Sequence, residues 1–213
     1  MQDMVRVSLK GNDKVVLKAI PGHFITPNSH VNYYLDMTTI KSRLSEASAA
    51  AEELSKRISP DTIVDTIVCM DGCEIIGAYL AEDLTKAGVI SINYHKTIYI
   101  TTPEVASTGQ MVFRDNIQPM IKGKNILLLM ASATTGQTLA KAIQTLNYYG
   151  ATISGISAIF SAVPAIAGIE IKTIFTEHDI PKYHAYEPAD CPMCRAGQRV
   201  DALVNSFGYS ELR

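Results

Sequence analysis

The sequence predicts an α/β protein: a parallel sheet covered on both faces by helices. Two observations carry this. Near-continuous apolar runs at residues 66–70, 126–130, 153–160 and 169–175 alternate with segments whose apolar residues recur every three or four positions. Strands buried on both faces read as unbroken apolar runs, and crossover helices supply the 3.6-residue period between them. Glycine and proline fall between the segments as punctuation, with no internal repeat or low-complexity tract.

Taken in order, residues 15–17 and 31–37 read as short strands around a loop rich in Pro, Gly and Asn. Residues 39–58 read as one helix, with Ile40, Leu44, Ala47, Ala51 and Leu54 on its apolar face and Pro60-Asp61 stopping it. A buried-type strand at 66–70 breaks at Asp71-Gly72 and leads into a helix over 74–87, ended by Gly88. A strand at 89–94 follows. Residues 101–110, "TTPEVASTGQ", have no periodicity and read as a mobile loop. Gly123-Lys124 turn into the strand at 126–130, and the helix over 136–149 carries Leu139, Ile143 and Leu146 on one face with Gly150 beyond its end. This divides one domain into hood strands (1–38), an α/β core (39–176) and a tail (177–213).

Composition bounds the function. The 213 residues are 47% hydrophobic and 19% charged, as in ordinary globular proteins, with a formal net charge of -2. That charge, and the lack of a Lys/Arg cluster, argue against nucleic acid as a partner. The N-terminal "MQDMVRVSLKGNDK" does not read as a signal peptide. The least charged region, 151–169, carries Gly155, Pro164 and Gly168 and reads as strand plus loop rather than a membrane span. A cytoplasmic protein is expected.

Ligands of such sheets bind beyond the carboxyl ends of the strands, which singles out the loops at 71–74 and 131–138. In "SATTGQT", Gly136 allows close backbone approach, Ser132, Thr134, Thr135 and Thr138 offer hydroxyls, and the following helix points its free N–H groups and positive dipole end at the loop. No lysine follows the glycine, so it is not a Walker loop. Alone, it reads equally well as an anion cradle or as a plain helix cap.

The surroundings resemble a known family. Strand, then Thr134-Thr135-Gly136-Gln137-Thr138, then helix is similar to the phosphoribosyl-pyrophosphate loop of type I phosphoribosyltransferases. Leu17-Lys18 with Ser29 and Tyr33-Tyr34-Leu35-Asp36-Met37 resembles the N-terminal hood of the orotate phosphoribosyltransferase branch. Gly72, Glu74 and Gly77-Ala78-Tyr79-Leu80-Ala81 resemble its pyrophosphate loop, and Lys96 matches one base of its "VRK". The resemblance implies a glycosyltransferase of nucleotide metabolism, a type I phosphoribosyltransferase fold, a homodimer, and magnesium-dependent transfer of phosphoribose to a pyrimidine such as orotate. It implies that Ser132, Ala133, Thr134, Thr135, Gly136, Gln137 and Thr138 hold the 5′-phosphate. Asp71, Gly72, Cys73, Glu74, His95 and Lys96 would hold pyrophosphate, and Lys18, Tyr33 and Tyr34 the base.

The chain also departs from the pattern. The family's two adjacent acids, which bond the ribose hydroxyls, fall on Met130 and Ala131. Two lost charged hydrogen bonds are worth about 3–6 kcal/mol, or roughly two to four orders of magnitude in rate. The loop at 101–110 holds Glu104 as a catalytic candidate but no lysine, and His95 stands where the family has arginine. Two readings follow: a phosphoribosyltransferase, or a catalytically weakened homologue that binds a nucleotide or sugar phosphate in a regulatory role. Neither uses His23 or His30, which flank a polar loop and are expected to be solvated.

The four cysteines fall as Cys69 with Cys73 and Cys191 with Cys194. The spacing of Cys191 and Cys194 fits half of a zinc site, completed by His178 and His184 or by Cys73; it also fits a redox pair or plain turn residues. Cys69 is expected to pack inside its strand.

Overall fold

The computed structural model describes residues 3–86, 92–93, 96–106 and 108–212. The chain opens with β1 (Val5–Leu9), β2 (Asn12–Ile25) and β3 (His30–Asp36), followed by α1 (Thr38–Ser42) and α2 (Leu44–Ser55). Next come β4 (Thr66–Cys69), α3 (Glu74–Lys86), β5 (Tyr99–Thr101), β6 (Glu104–Val105) and β7 (Met111–Val112). Then follow β8 (Asn125–Ala133), α4 (Gln137–Tyr148), β9 (Thr152–Ser161), β10 (Ala165–Ile166) and β11 (Ile169–Thr176). The chain finishes with β12 (Ala185–Tyr186), α5 (Pro192–Arg195), β13 (Ala202–Asn205) and β14 (Gly208–Glu211).

The core sheet has the order β10-β11-β9-β8-β4-β5, parallel throughout except for β10 at its edge. Its two faces can be read off β8. Leu127, Leu129 and Ala131 pack in one apolar cluster with Ala47, Ala51 and Leu54 of α2 and Ile76 and Leu80 of α3. Ile126, Leu128 and Met130 pack in the other, with Leu139, Ile143 and Leu146 of α4. Successive strand residues point to opposite faces, so an unbroken apolar run is what a doubly covered strand requires. Gly77 of α3 lies so close to β4 that a Cβ there would sit 2.5 Å from the Cys69 sulfur. Cys69 is fully buried, as expected.

Three expectations need correction. The helix over 39–58 is two helices: Arg43, at φ -94° and ψ 122°, is extended and ends α1 before α2 begins. Residues 101–110 contribute to an antiparallel ribbon of β6 and β7 rather than a bare loop. Of the strand expected at 89–94, only Ile92 and Asn93 are described, and they form a turn; the rest, with Gly88 and His95, lies outside the described residues. The tail's strands β12, β13 and β14 join the hood in a sheet of order β12-β3-β2-β13-β14, with β1 also on β2. Among the described residues no helix is long and apolar enough to cross a membrane.

The hood is tied to the core helices through Glu53 of α2, whose carboxylate accepts from Asn12 Nδ2 (3.2 Å), Lys56 Nζ (3.0 Å) and Arg57 Nη1 (3.0 Å). Desolvation pushes this carboxyl upward, but the three bonds more than offset it and bring its pKa down to about 2. A lowered folded-state pKa stabilises above the unfolded value of 4.5 and loses its effect as pH falls through about 2. After discounting for solvent screening, Glu53→Gln is expected to cost about 1 kcal/mol. Its Tm deficit should hold steady from about pH 7 to about pH 5 and then close toward about pH 2. A deficit unchanged at low pH would mean that packing, not charge, is what the variant loses.

Candidate active site

The carboxyl end of β8 runs through Ser132 and Ala133 into Thr134 and Thr135, and Gly136 turns the chain into α4. Gly136 adopts φ 76°, in the left-handed region, and makes no side-chain cap bond to the helix. The first amides of α4 therefore keep their donors free for an outside acceptor. A small concavity is lined here by Ser132, Thr134, Thr135, Thr138 and the hood residue Asn28, whose Nδ2 donates to Thr138 Oγ1 at 3.3 Å. Asn28 sits in a tight turn in which Thr26 Oγ1 accepts from the amides of Asn28 and Ser29. The hood thus reaches over the loop, and sequence reading missed the residue that does so.

The second loop is built for an exposed backbone. Asp71 (φ 57°) and Gly72 (φ 76°) are both left-handed, and α3 starts at Glu74. Lys41 of α1 clasps this turn, donating its ammonium to the Asp71 carbonyl (2.7 Å) and to the Ser206 carbonyl of the β13–β14 hairpin (3.1 Å). Burial raises the Asp71 pKa; Lys41 and the Ala131 amide oppose that rise and Glu74 adds to it. Asp71 is thus a carboxyl held against the Ala131 position. Cys73 is fully buried in the core, so only its backbone can serve a ligand. Glu74 is exposed at the start of α3, where its charge competes with a bound anion for the helix dipole. Lys96 is exposed, and His95 lies outside the described residues.

Other expected site residues are placed as follows. Lys18 Nζ donates to Thr39 Oγ1 at 2.9 Å. Tyr34 is buried in the hood, its ring 4.9 Å from Tyr209 and 6.0 Å from Phe24; this assigns it to the core and leaves half-buried Tyr33 as the ring nearer solvent. Glu104 is exposed and held in a two-pronged pair by Arg114 Nε and Nη2, both at 2.7 Å, so its oxygens are already engaged. Met130 and Ala131, where the resemblance would place two acids, are 2% and 5% exposed on opposite faces of the sheet. A larger open groove of about 640 Å³ runs along β11, but its Arg57 is engaged by Glu53 and its Lys172 by Glu170. Size alone does not make it the anion site.

Cys191 and Cys194 do not meet His178, His184 or Cys73. Both of those histidines are exposed, and Cys73 lies in the main core. They meet instead His23 and His30, which are 0% and 8% exposed rather than solvated. Their positions on two facing hood strands, with Pro27-Asn28-Ser29 at the turn between, were a usable hairpin signal.

Five parallel strands, helices on both faces, a hood sheet, and a glycine-turned loop between β8 and α4 define the architecture. The chain has the fold of the type I phosphoribosyltransferases. Orotate phosphoribosyltransferase from Aeropyrum pernix superposes with a TM-score of 0.53 at 17% identity, over 75% of this chain and 88% of that one. Adenine phosphoribosyltransferase from Thermoanaerobacter pseudethanolicus gives 0.51 at 12% identity, over 81% and 95%. UMP synthase from Leishmania donovani also gives 0.51 at 15% identity, but the match covers 70% of this chain and only 31% of that longer one. In sequence, an orotate phosphoribosyltransferase from Chlorobium phaeobacteroides is 23% identical over 188 residues, covering 86% of this chain and 87% of that protein. No protein-family model matches the chain. In this phosphoribosyltransferase fold the two loops lie at the carboxyl ends of the neighbouring parallel strands β8 and β4, where the general rule for open α/β sheets puts a ligand.

Proposed function

We propose that the protein binds phosphoribosyl pyrophosphate and transfers its phosphoribose to a pyrimidine base, orotate being the first acceptor to test. The observation that carries this reading is the glycine turn at Gly136 opening an uncapped α4 beside four hydroxyl side chains. The sequence similarity to an orotate phosphoribosyltransferase over most of both chains supports the pyrimidine branch. The fold itself is shared with an adenine enzyme and does not select the base.

In this reading the amides of residues 134–138 and the hydroxyls of Thr134, Thr135 and Thr138 hold the 5′-phosphate, while Asn28 closes the cradle from the hood. The turn at Asp71-Gly72, fixed by Lys41, presents its amides to the diphosphate. Asp71 is the carboxyl available to a magnesium ion, which needs only one or two protein carboxylates when substrate phosphates and waters complete its shell. When bound, the ion would neutralise the departing pyrophosphate. Transfer breaks the C1–O bond to pyrophosphate and forms a C1–N bond to the base, through a cation-like sugar. The hood excludes water from that sugar. A homodimer belongs to the same proposal.

A second reading is favoured by one observation, the burial of Met130 and Ala131. Without an acid at either position, ribose hydroxyls meet only Ser132 and backbone groups, and the protein becomes a binder of nucleotide or sugar phosphate with slow turnover. One experiment separates the two: pyrophosphate release with phosphoribosyl pyrophosphate, magnesium and orotate, uracil or adenine, run beside calorimetric binding. Turnover with orotate above the other bases is the expected result. Binding with no pyrophosphate release would replace the transfer reading with the second.

A further inference from the structure

We propose that His23, His30, Cys191 and Cys194 form a structural zinc site joining the two ends of the chain inside the hood. The site is built by local features of each segment. The β2–β3 register slips between Pro21 and Phe24, leaving Gly22 and His23 in a bulge. Asp201 clasps that bulge: its Oδ2 accepts from the His23 amide at 2.7 Å and its own amide donates to the His23 carbonyl at 2.8 Å. A Cβ on Gly22 would come within 2.8 Å of both Asp201 Oδ2 and the Phe24 ring, so the bulge needs glycine. The turn at Thr26–Ser29 then returns the chain so that His30 pairs with Ile25 across the hairpin. From the tail, Cys191 immediately precedes α5 and Cys194 follows three residues later, with the Arg195 amide donating to the Cys191 carbonyl.

The four ligand atoms all lie within 4.8 Å of one another. His23 Nε2 is 3.2 Å from His30 Nδ1 and 3.6 Å from each of the two sulfurs, and Cys194 Sγ is 3.2 Å from His30 Nδ1. A tetrahedron with Zn–N near 2.0–2.1 Å and Zn–S near 2.3 Å puts its nitrogens about 3.3 Å apart and nitrogen and sulfur about 3.6 Å apart. Those four spacings fall within about 0.4 Å of the corresponding edges. The imidazole of His23 is also set for this: its Nδ1 lies 3.0 Å from the Gln198 carbonyl, which can only accept, so the proton sits on Nδ1 and the Nε2 lone pair faces the cluster. Three of the four residues are buried. A divalent ion would use the lone pairs of all four ligand atoms at once.

A set of two sulfurs and two nitrogens at tetrahedral spacing selects zinc over magnesium or calcium, which take oxygen. Two thiolates balance the ion's charge. All four positions are filled by protein, so the site has no place for a substrate and is structural. Its effect is a cross-link between residues 168 apart in the chain, His23 and Cys191. The cross-link fixes the base of the β13–β14 hairpin, whose Ser206 carbonyl holds Lys41 over the Asp71 turn.

The test uses the full chain purified without chelator and in reducing buffer. Elemental analysis is expected to find about one zinc per chain. Exchange with cobalt(II) should give the strong visible absorption of a tetrahedral ion together with thiolate charge-transfer bands. Cys194→Ser should weaken zinc binding at least about tenfold. His30→Cys should keep one metal and strengthen the thiolate bands, which guards against a variant that merely fails to fold. Chelation should lower Tm, with recovery on adding zinc chloride and none on adding magnesium chloride. A folded wild-type chain that is metal-free as purified and takes up neither zinc nor cobalt overturns the proposal. So does a Cys191–Cys194 disulfide that persists under reduction.

Discussion

Gly136→Ala is expected to weaken binding of ribose 5-phosphate by about tenfold or more, since a loss of about 1.4 kcal/mol is enough for that factor. Two costs act together. At φ 76° an L side chain pays roughly 1–2 kcal/mol for the left-handed conformation. The new Cβ would also lie 3.2 Å from Ile166 Cδ1, so the Ile166 side chain must give way or the loop must turn away. A loop that turns away spoils the convergence of the α4 amides. Gly123→Ala is the matched control: its φ is 68°, but nothing lies within 4 Å of its added Cβ. It should lose similar stability and keep its affinity. Calorimetric titration with thermal denaturation of both variants separates backbone strain from loss of the site. Equal affinity for wild type and Gly136→Ala would mean that phosphate does not bind at this turn.

The core of the fold was legible because its chemistry is repetitive. On β8, alternate residues serve opposite faces, and an unbroken apolar run is the direct consequence. On α4, Leu139, Ile143 and Leu146 recur at helical spacing, and Gly150 (φ 77°) ends the helix where a left-handed residue is needed. The hood was less legible. Strand β1 did carry a signal in Val5, Val7 and Leu9, alternating before a Gly11 turn, which the reading passed over. Strands β12 to β14 are two to four residues long, too short for a period, and their pairing with β2 and β3 is set by tertiary contact. The break at Arg43 had no glycine or proline to announce it.

The site divides the same way. The loop at 132–138 is local in sequence, so its residue types and order mark it as a candidate. Lys41, Asn28 and Arg114 act across 30, 110 and 10 positions, and nothing near them in the chain signals their partners. His23 and His30 show the point most clearly. Each looked like a polar loop residue because the groups that bury it, Cys191 and Cys194, arrive from the far end of the chain.

Met130→Asp is expected to cost about 3–5 kcal/mol and to raise pyrophosphate release little, because the strand offers an acid no place to ionise there. Met130 is 2% exposed and packs with Val68, Leu128 and Leu139. A carboxylate there would sit among apolar neighbours, though beside Ser132 in the lining of the small concavity, and it would either stay protonated or loosen its surroundings. Ala131 differs. It faces the opposite cluster and its amide lies near the half-buried Asp71 carboxyl. Ala131→Asp would set two carboxyls side by side, a repulsive pair that a divalent cation relieves. Its Tm should therefore rise with magnesium by more than the wild-type Tm does, and pyrophosphate release, if gained at all, should be gained in this variant first. Thermal denaturation with and without magnesium, beside the release assay, checks both halves. If Met130→Asp proves as stable as wild type, the end of β8 must open to water or a cation. The altered pair would then be a small step from a working ribose site. If it collapses as expected, position 130 belongs to the core and not to a sugar site. In the proposed site, recognition of the sugar would then rest on Ser132 and backbone groups.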